Sequence, residues 1–305
     1  MQSIAQGRRR LPYPFLILAV LLSPALVNAK AVLLTQEGIA LYDTVALGIT
    51  KRLGDKVEVE TIEKYAAPAD LKADLLQRKP ELLIVVGVAP ARLVMKAELA
   101  LPMVFCLVPQ NERDTLASVE ATGVSLEVPM SSQLAAVKTV LPVLKRLAVF
   151  FNPKVSGILI QQAREAAVRE GFTLVEQPVA GPDELATAFK ALVGKIDAVW
   201  MLQDRTVGTA LGFKVLLLGT LESKLPLIAY SGNFVEGGAL LSMAPNFDKT
   251  AEAVVGLAKK VMSGTNARSL PWQDGPGELV LNLKVASRLG INIPPNATEG
   301  ARIFR

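Results

Sequence analysis

The sequence contains no histidine and a single cysteine, Cys106. Without an imidazole there is no Ser-His-Asp triad, no histidine acid–base pair and no histidine metal site. One thiol makes neither an internal disulfide nor a cysteine cluster for zinc or iron–sulfur. Flanked by Phe105 and Leu107, Cys106 reads as a small buried hydrophobe. A G-x-S-x-G elbow, a Walker A loop, a G-x-G-x-x-G fingerprint and an acidic calcium loop are all absent. No cofactor and no metal are therefore expected. Glu58, Glu60 and Glu63 lie close together, but strand alternation makes them a solvated face. No basic run interleaved with aromatics follows residue 30, so nucleic acid is a poor partner.

What is present is a chain of 305 residues, 51% hydrophobic and 20% charged, enough for one large or two medium domains. Its N-terminus has the three parts of an export signal. Arg8 to Arg10 form a basic start, Leu11 to Leu22 an apolar stretch short for a membrane span, and Val27-Asn28-Ala29 a small-residue cleavage site. Cleavage after Ala29 is expected, with periplasmic delivery. No cysteine near that point offers a lipid anchor. Removing residues 1–29 with their three arginines leaves 30 basic against 28 acidic residues, so the mature chain is nearly neutral.

Strand-like and helix-like segments then alternate. Ala31–Thr35 (AVLLT), Val57–Val59, Leu82–Val86 (LLIVV) and Met103–Val108 read as strands, with helical spacing over Ile39–Leu53 and a helix opened by Pro68. The pattern restarts at Leu147–Phe151 (LAVFF) and continues through Phe172–Val175, Ala198–Leu202, Leu227–Tyr230 and Ala239–Met243. A helix is expected over Phe247–Met262. Such alternation means βαβ units with parallel sheets, and uniformly apolar strands mean sheets covered on both faces. About nine strands are too many for one comfortable open sheet. The restart near residue 145 therefore points to an α/β protein of two lobes.

Ligands of open parallel sheets bind beyond the carboxyl ends of the strands. In the first half those ends supply Thr35, Gln36, Glu37, Gly87, Ala89 and Pro109; in the second, Asn152, Asp204, Arg205, Thr206, Tyr230 and Ser231. Helix N-termini there suit an anion, and Asp204 could hold an amine. Each residue has a plainer reading. Asp204 could cap the helix that follows it, Glu37 and Arg205 could be solvated, Tyr230 could belong to the core, and Gly87 could serve a tight turn.

The stretch Glu278 to Pro294 (ELVLNLKVASRLGINIP), the segment Ile196 to Val207 and Leu147 to Pro153 resemble the periplasmic substrate-binding proteins of ABC transporters, in the branch that includes tryptophan/tyrosine-type binding proteins. Thr122 to Ser125 is similar to that family's crossover. The resemblance covers roughly residues 31 to 295. It implies a type I, Venus-flytrap fold that closes on a small-molecule ligand and delivers it to a membrane permease, acting as a monomer and without catalysis. It also implies chain crossings near Thr122–Pro129, Tyr230–Gly238 and Ser269–Gly277. Residues 30–126 with 239–268 would form one lobe, and 127–238 with 269–305 the other.

The sequence departs from the family pattern at three loops. Val88-Ala89 stand where a hydroxyl residue is usual, Val108-Pro109 where Asp-Pro is usual, and Arg205 in place of an amide. A ligand that is amino-acid-like or more apolar is expected. A periplasmic sensor that presents a ligand to a membrane receptor, and an exported enzyme on the same scaffold, are the alternatives.

Overall fold

The computed structural model describes residues 30–116 and 119–305; the expected signal segment and its cleavage point after Ala29 lie outside the described residues. Two sheets organise the chain. The first contains Ala31–Thr35 (β1), Val57–Thr61 (β2), Leu82–Val86 (β3), Met103–Val108 (β4) and Ala121–Ser125 (β5), in the order β2-β1-β3-β4-β5. All of its pairings are parallel. The second contains Arg146–Phe151 (β6), Thr173–Pro178 (β7), Ala198–Trp200 (β8), Leu227–Ala229 (β9), Leu241–Pro245 (β10), Gly277–Asn282 (β11) and Arg302–Phe304 (β12). Their order is β12-β11-β10-β9-β8-β6-β7, and only β10 and β11 run antiparallel.

The apolar strands bury alternate residues on opposite faces, as a pleat requires. In the first lobe Leu33, Ile84 and Val104 pack against the helices Ala40–Leu53 and Phe247–Met262. Val32, Leu83 and Phe105 pack on the other face against the helices Pro68–Arg78 and Val88–Ala97. The second lobe repeats the plan, with the fully buried Trp200 on one face and Phe150 and Phe189 on the other. Gly48 lets the two helices on the first face approach closely: a Cβ there would stand 2.8 Å from that of Ala251.

That contact joins residues some 200 apart in sequence, because the chain returns to its first lobe late. It leaves the first sheet after Ser125, comes back after Pro245, and leaves again between Gln273 and Gly277. The expected crossing near Tyr230–Gly238 is thus displaced. β10 stays in the second sheet because Leu241 pairs with Ile228 on one side and Leu281 on the other, so the lobe boundary at residue 239 moves to about residue 246. The boundary at 269 moves too: Gln273 bridges Val124, and its carbonyl accepts the Ser125 N–H at 2.9 Å. Thr122–Ser125, read as a crossover, is itself strand β5, and the crossing follows it.

Glycine makes these crossings possible by close approach. A Cβ at Gly275 would lie 2.5 Å from the carbonyl oxygen of Glu127, and one at Gly123 would overlap the carbonyl oxygen of Phe105. A backbone carbonyl in a paired strand has little room to retreat. Gly123→Ala is therefore expected to cost about 1–3 kcal/mol through overpacking. Urea unfolding should show this as a lower midpoint at unchanged slope; an unchanged midpoint would mean that β4 and β5 can separate there freely.

Candidate functional site

All three crossings leave from one edge of each sheet. Ser125 and Pro245 end their parallel strands, and Gly277 begins the antiparallel β11 opposite Pro245. The carboxyl ends of both sheets therefore meet at the hinge, which is where open α/β sheets bind ligands. Thr35, Gly87 and Pro109 lie on this edge of the first lobe. Asn152, Asp204 to Thr206, Tyr230 and Ser231 lie on that of the second.

In the second lobe Asp204 is the centre of the loop structure. Its side chain is 1% exposed. Oδ2 accepts the Asn152 N–H and the Ser156 hydroxyl, both at 2.7 Å. Oδ1 accepts the N–H groups of Thr206 at 2.7 Å and Val207 at 2.8 Å. One carboxylate thus fastens the loop after β6 to the loop after β8. Burial alone would raise its pKa, but the Ser156 hydroxyl and the three N–H donors outweigh it and hold the carboxyl below its ordinary range. With four donors from its own lobe, Asp204 has little capacity left for the amine it was expected to hold. Nor does it cap the following helix: that helix begins at Ala210, and Thr209 accepts the Gly212 N–H in the capping role.

The neighbouring groups are also largely engaged. Asn152 spends its side chain on the Ala180 carbonyl and the Lys154 N–H. The Tyr230 hydroxyl donates to the Gly208 carbonyl at 2.6 Å, its ring stands edge-on to Phe234 at 5.2 Å, and burial raises its pKa. Ser231 caps the short helix Gly232–Glu236 through the Asn233 N–H. Arg205 is exposed. Thr206 is the exception, because its buried hydroxyl has no hydrogen-bond partner among the described residues.

The first lobe has the same pattern. Glu37 turns away to the β2 side, where Oε1 accepts the Thr61 hydroxyl at 3.0 Å. Gln36 is half-buried and Ala89 sits in the first turn of helix Val88–Ala97. Gly87, at φ +96°, has the Tyr42 ring directly over it, and any Cβ would overlap that ring. The Tyr42 hydroxyl accepts the Val88 N–H at 3.4 Å, so it takes up one N–H of the helix N-terminus that was expected to receive an anion. Beside it, the buried Leu107 holds φ +55° at a bulge between Cys106 and Val108, which re-aims the Val108-Pro109 loop. Thr35 is buried, and its hydroxyl has no hydrogen-bond partner among the described residues.

Sequence reading missed three residues of this region. Tyr42 was absorbed into a helical spacing pattern. Glu127 lies on the first crossing: its Oε1 accepts the Gln110 N–H at 3.2 Å, while Oε2 is buried without a partner among the described residues. Arg113 stacks 4.6 Å over the Trp272 ring and donates to the Ser125 hydroxyl at 3.0 Å, tying two crossing segments together. None of these belongs to a motif, and only the fold brings them to the hinge. Among the described residues no cluster of acidic or cysteine side chains could hold a metal ion.

Two such sheets, hinged by three crossings at their carboxyl ends, match the family model described as ABC transporter substrate binding protein over residues 27–302. The chain belongs to that family. A curated relative, the tyrosine-binding protein of Clostridioides difficile, is 24% identical over 201 residues, covering 63% of this chain. The chain spans 58% of that relative's length. Among solved structures, a substrate-binding protein with adhesive properties from Clostridium difficile, in its ligand-free open form, matches with a TM-score of 0.75 at 20% identity, covering 90% of this chain and 99% of that one. A Streptococcus pneumonia domain in complex with L-Trp matches with 0.57 at 22% identity, covering 91% and 100%. The fold is thus the two-lobed, type I arrangement expected from sequence.

Replacing the carboxylate with an amide tests the role of Asp204. Asp204→Asn should lose about 2–4 kcal/mol at neutral pH, since charge-assisted bonds become neutral and the amide nitrogen faces donors. A depressed folded pKa gives stability that is present above the unfolded value, near 3.9, and lost as pH falls through the folded one. The gap between wild type and variant should therefore narrow as pH drops below about 4. A gap independent of pH in urea titrations would show that the charge contributes nothing.

Proposed function

We infer that this protein captures a small molecule between its lobes outside the cytoplasm and hands it to an ABC permease, without acting on it chemically. Family membership supports this reading. So does a site edge in which the Ser156 hydroxyl and the Asp204 carboxylate, a hydroxyl and a base 2.7 Å apart, are both buried and fasten two loops together. Export by an N-terminal signal cleaved after Ala29 fits it as well.

The finer reading concerns the ligand, and the saturation of Asp204 carries it. An α-amino acid presents an ammonium and a carboxylate together. Here Asp204, the carboxylate expected to hold an ammonium, is occupied, which leaves Glu127 Oε2 as the acceptor for an amine, while Tyr42 stands over the helix N-terminus suited to a carboxylate. Among the described residues of the hinge loops and strand ends, a pair of hydroxyls, on Thr35 and Thr206, and one oxygen of Glu127 stay without partners; the unpartnered Trp200 Nε1 and Ser242 Oγ lie within β8 and β10. Buried polar atoms without partners are costly and mark where a ligand donor or water belongs. The ligand is a small, largely apolar molecule that donates hydrogen bonds and carries no carboxylate. It is thus the more apolar of the two expected classes, and distinct from the tyrosine and L-Trp named for the relatives.

Matched probes test this directly. L-tryptophan, tryptamine and tryptophol, with the corresponding tyrosine series, differ only in the groups at issue. In thermal unfolding of residues 30–305, a ligand at 100 times its Kd stabilises by about 2.7 kcal/mol. Stabilisation by the amine or alcohol and not by the amino acid is expected, weakened about tenfold in Thr35→Val/Thr206→Val through loss of hydrogen bonds of about 0.5–1.5 kcal/mol each. Preference for the amino acids would overturn the finer reading and leave the coarser one standing.

A further inference from the structure

The pole of the first lobe opposite the hinge carries a strong excess of positive charge. Helices Ala40–Leu53 and Phe247–Met262 both start at the crossing edge, and both end here. Their last turns carry Lys51, Arg52, Lys259 and Lys260, with Lys56 just beyond one helix end and Lys30 just before β1. Lys30, Arg52, Lys56 and Lys259 line a concavity of about 300 Å³, floored by Leu53 and Met262. Asp55 lies beside Lys56, and Glu81 pairs with Lys30 at 3.5 Å; the same two helices also carry Asp43, Glu252 and, in the first turn of Phe247–Met262, Asp248, which pairs with Arg52 at 2.9 Å.

Helix dipoles account for part of this excess, since cations are favoured in the last turn of a helix. They do not account for Lys30, in the bend before β1, or for Lys56, in the turn after the helix. Lys56 and Lys259 have no ion pair or side-chain hydrogen bond among the described residues, although both face the same concavity. The mature chain as a whole is nearly neutral, so this pole is a local field and not a reflection of net charge.

The same pole is where the N-terminal segment joins the folded body. Lys30 lines the concavity, and seven residues, Ser23 to Ala29, separate it from the apolar stretch Leu11–Leu22. Seven residues reach at most about 25 Å when fully extended. An export signal held in the bilayer at residues 11–22 would keep this pole within one such length of the membrane.

We propose that the concavity lined by Lys30, Arg52, Lys56 and Lys259 is a membrane-docking surface that receives the phosphates of anionic phospholipids. Docking there holds the first lobe by the face opposite its hinge and leaves the ligand edge free. The proposal does not depend on which solute the hinge site binds, so the two readings fail separately.

Both β-sheets and their helices are complete within residues 30–305, so that chain can be used for the test. It is spun with vesicles of phosphatidylcholine alone, or of equal parts phosphatidylcholine and phosphatidylglycerol. Pelleting only with the mixed vesicles, and less at higher salt, is expected. Lys56→Gln/Lys259→Gln should weaken it by about fivefold per lysine, the ratio corresponding to about 1 kcal/mol each. Lys56→Arg/Lys259→Arg should restore it. Lys190→Gln/Lys195→Gln, at exposed lysines of the second lobe, should leave it unchanged. Unfolding midpoints equal to wild type show that each variant is folded. No binding to the mixed vesicles, equal binding to neutral ones, or equal weakening by the second-lobe pair would overturn the proposal.

Discussion

Three chain crossings at a single edge constrain everything else in this molecule. Ser125, Pro245 and Gly277 stand at the same end of their sheets, so both lobes present strand carboxyl ends to one hinge. Parallel βαβ units put their variable loops at that end. The topology therefore decides that loop residues from distant parts of the chain share one place. It also obliges the backbone to pass closely there, which Gly123 and Gly275 permit and larger residues would obstruct. The helix Phe247–Met262 then locks the returning chain onto the first lobe through the Gly48–Ala251 contact.

Within that frame, the hydrogen-bond accounting of the hinge edge separates scaffold from ligand contact. Buried polar groups need partners, and most of the polar side chains here have found them inside their own lobe. Asp204, Asn152, Tyr230 and Ser231 stabilise loops. Thr35, Thr206 and Glu127 have polar atoms left over. A rigid, self-satisfied second lobe suits a binding protein, since less ordering is required when ligand arrives. Closure would then be a population shift driven by contacts made to both lobes at once.

Much of this architecture was legible in the sequence because its signals are local. Uniformly apolar runs such as LLIVV and LAVFF belong to doubly covered strands, and the βαβ rhythm with its restart near residue 145 belongs to two sheets. What was not legible depends on contacts between remote segments. β5 is short and half polar (ATGVS), and its strand character comes from pairing with β4 and the alignment of Gln273 beside it. β10 stays in the second sheet because β11, thirty residues onward, pairs with its outer edge. At the site, strand ends identified the right loops, yet not which side chains in them are free. Asp204 looks like a ligand contact or a helix cap; only Ser156 and the Asn152 N–H, some fifty residues away, show that it is a loop fastener. Tyr42 has the spacing of a core residue and does pack against the first-lobe core, yet its ring also covers Gly87.

The central claim is that the hinge edge binds a small, carboxylate-free hydrogen-bond donor and leaves it unchanged. Native mass spectrometry of protein taken from its exporting cell, followed by identification of the released molecule, tests this most directly. The account predicts a one-to-one complex with a largely apolar amine, alcohol or amide, recovered intact. A zwitterionic amino acid in the released fraction, or a compound chemically altered on incubation with fresh protein, would contradict it.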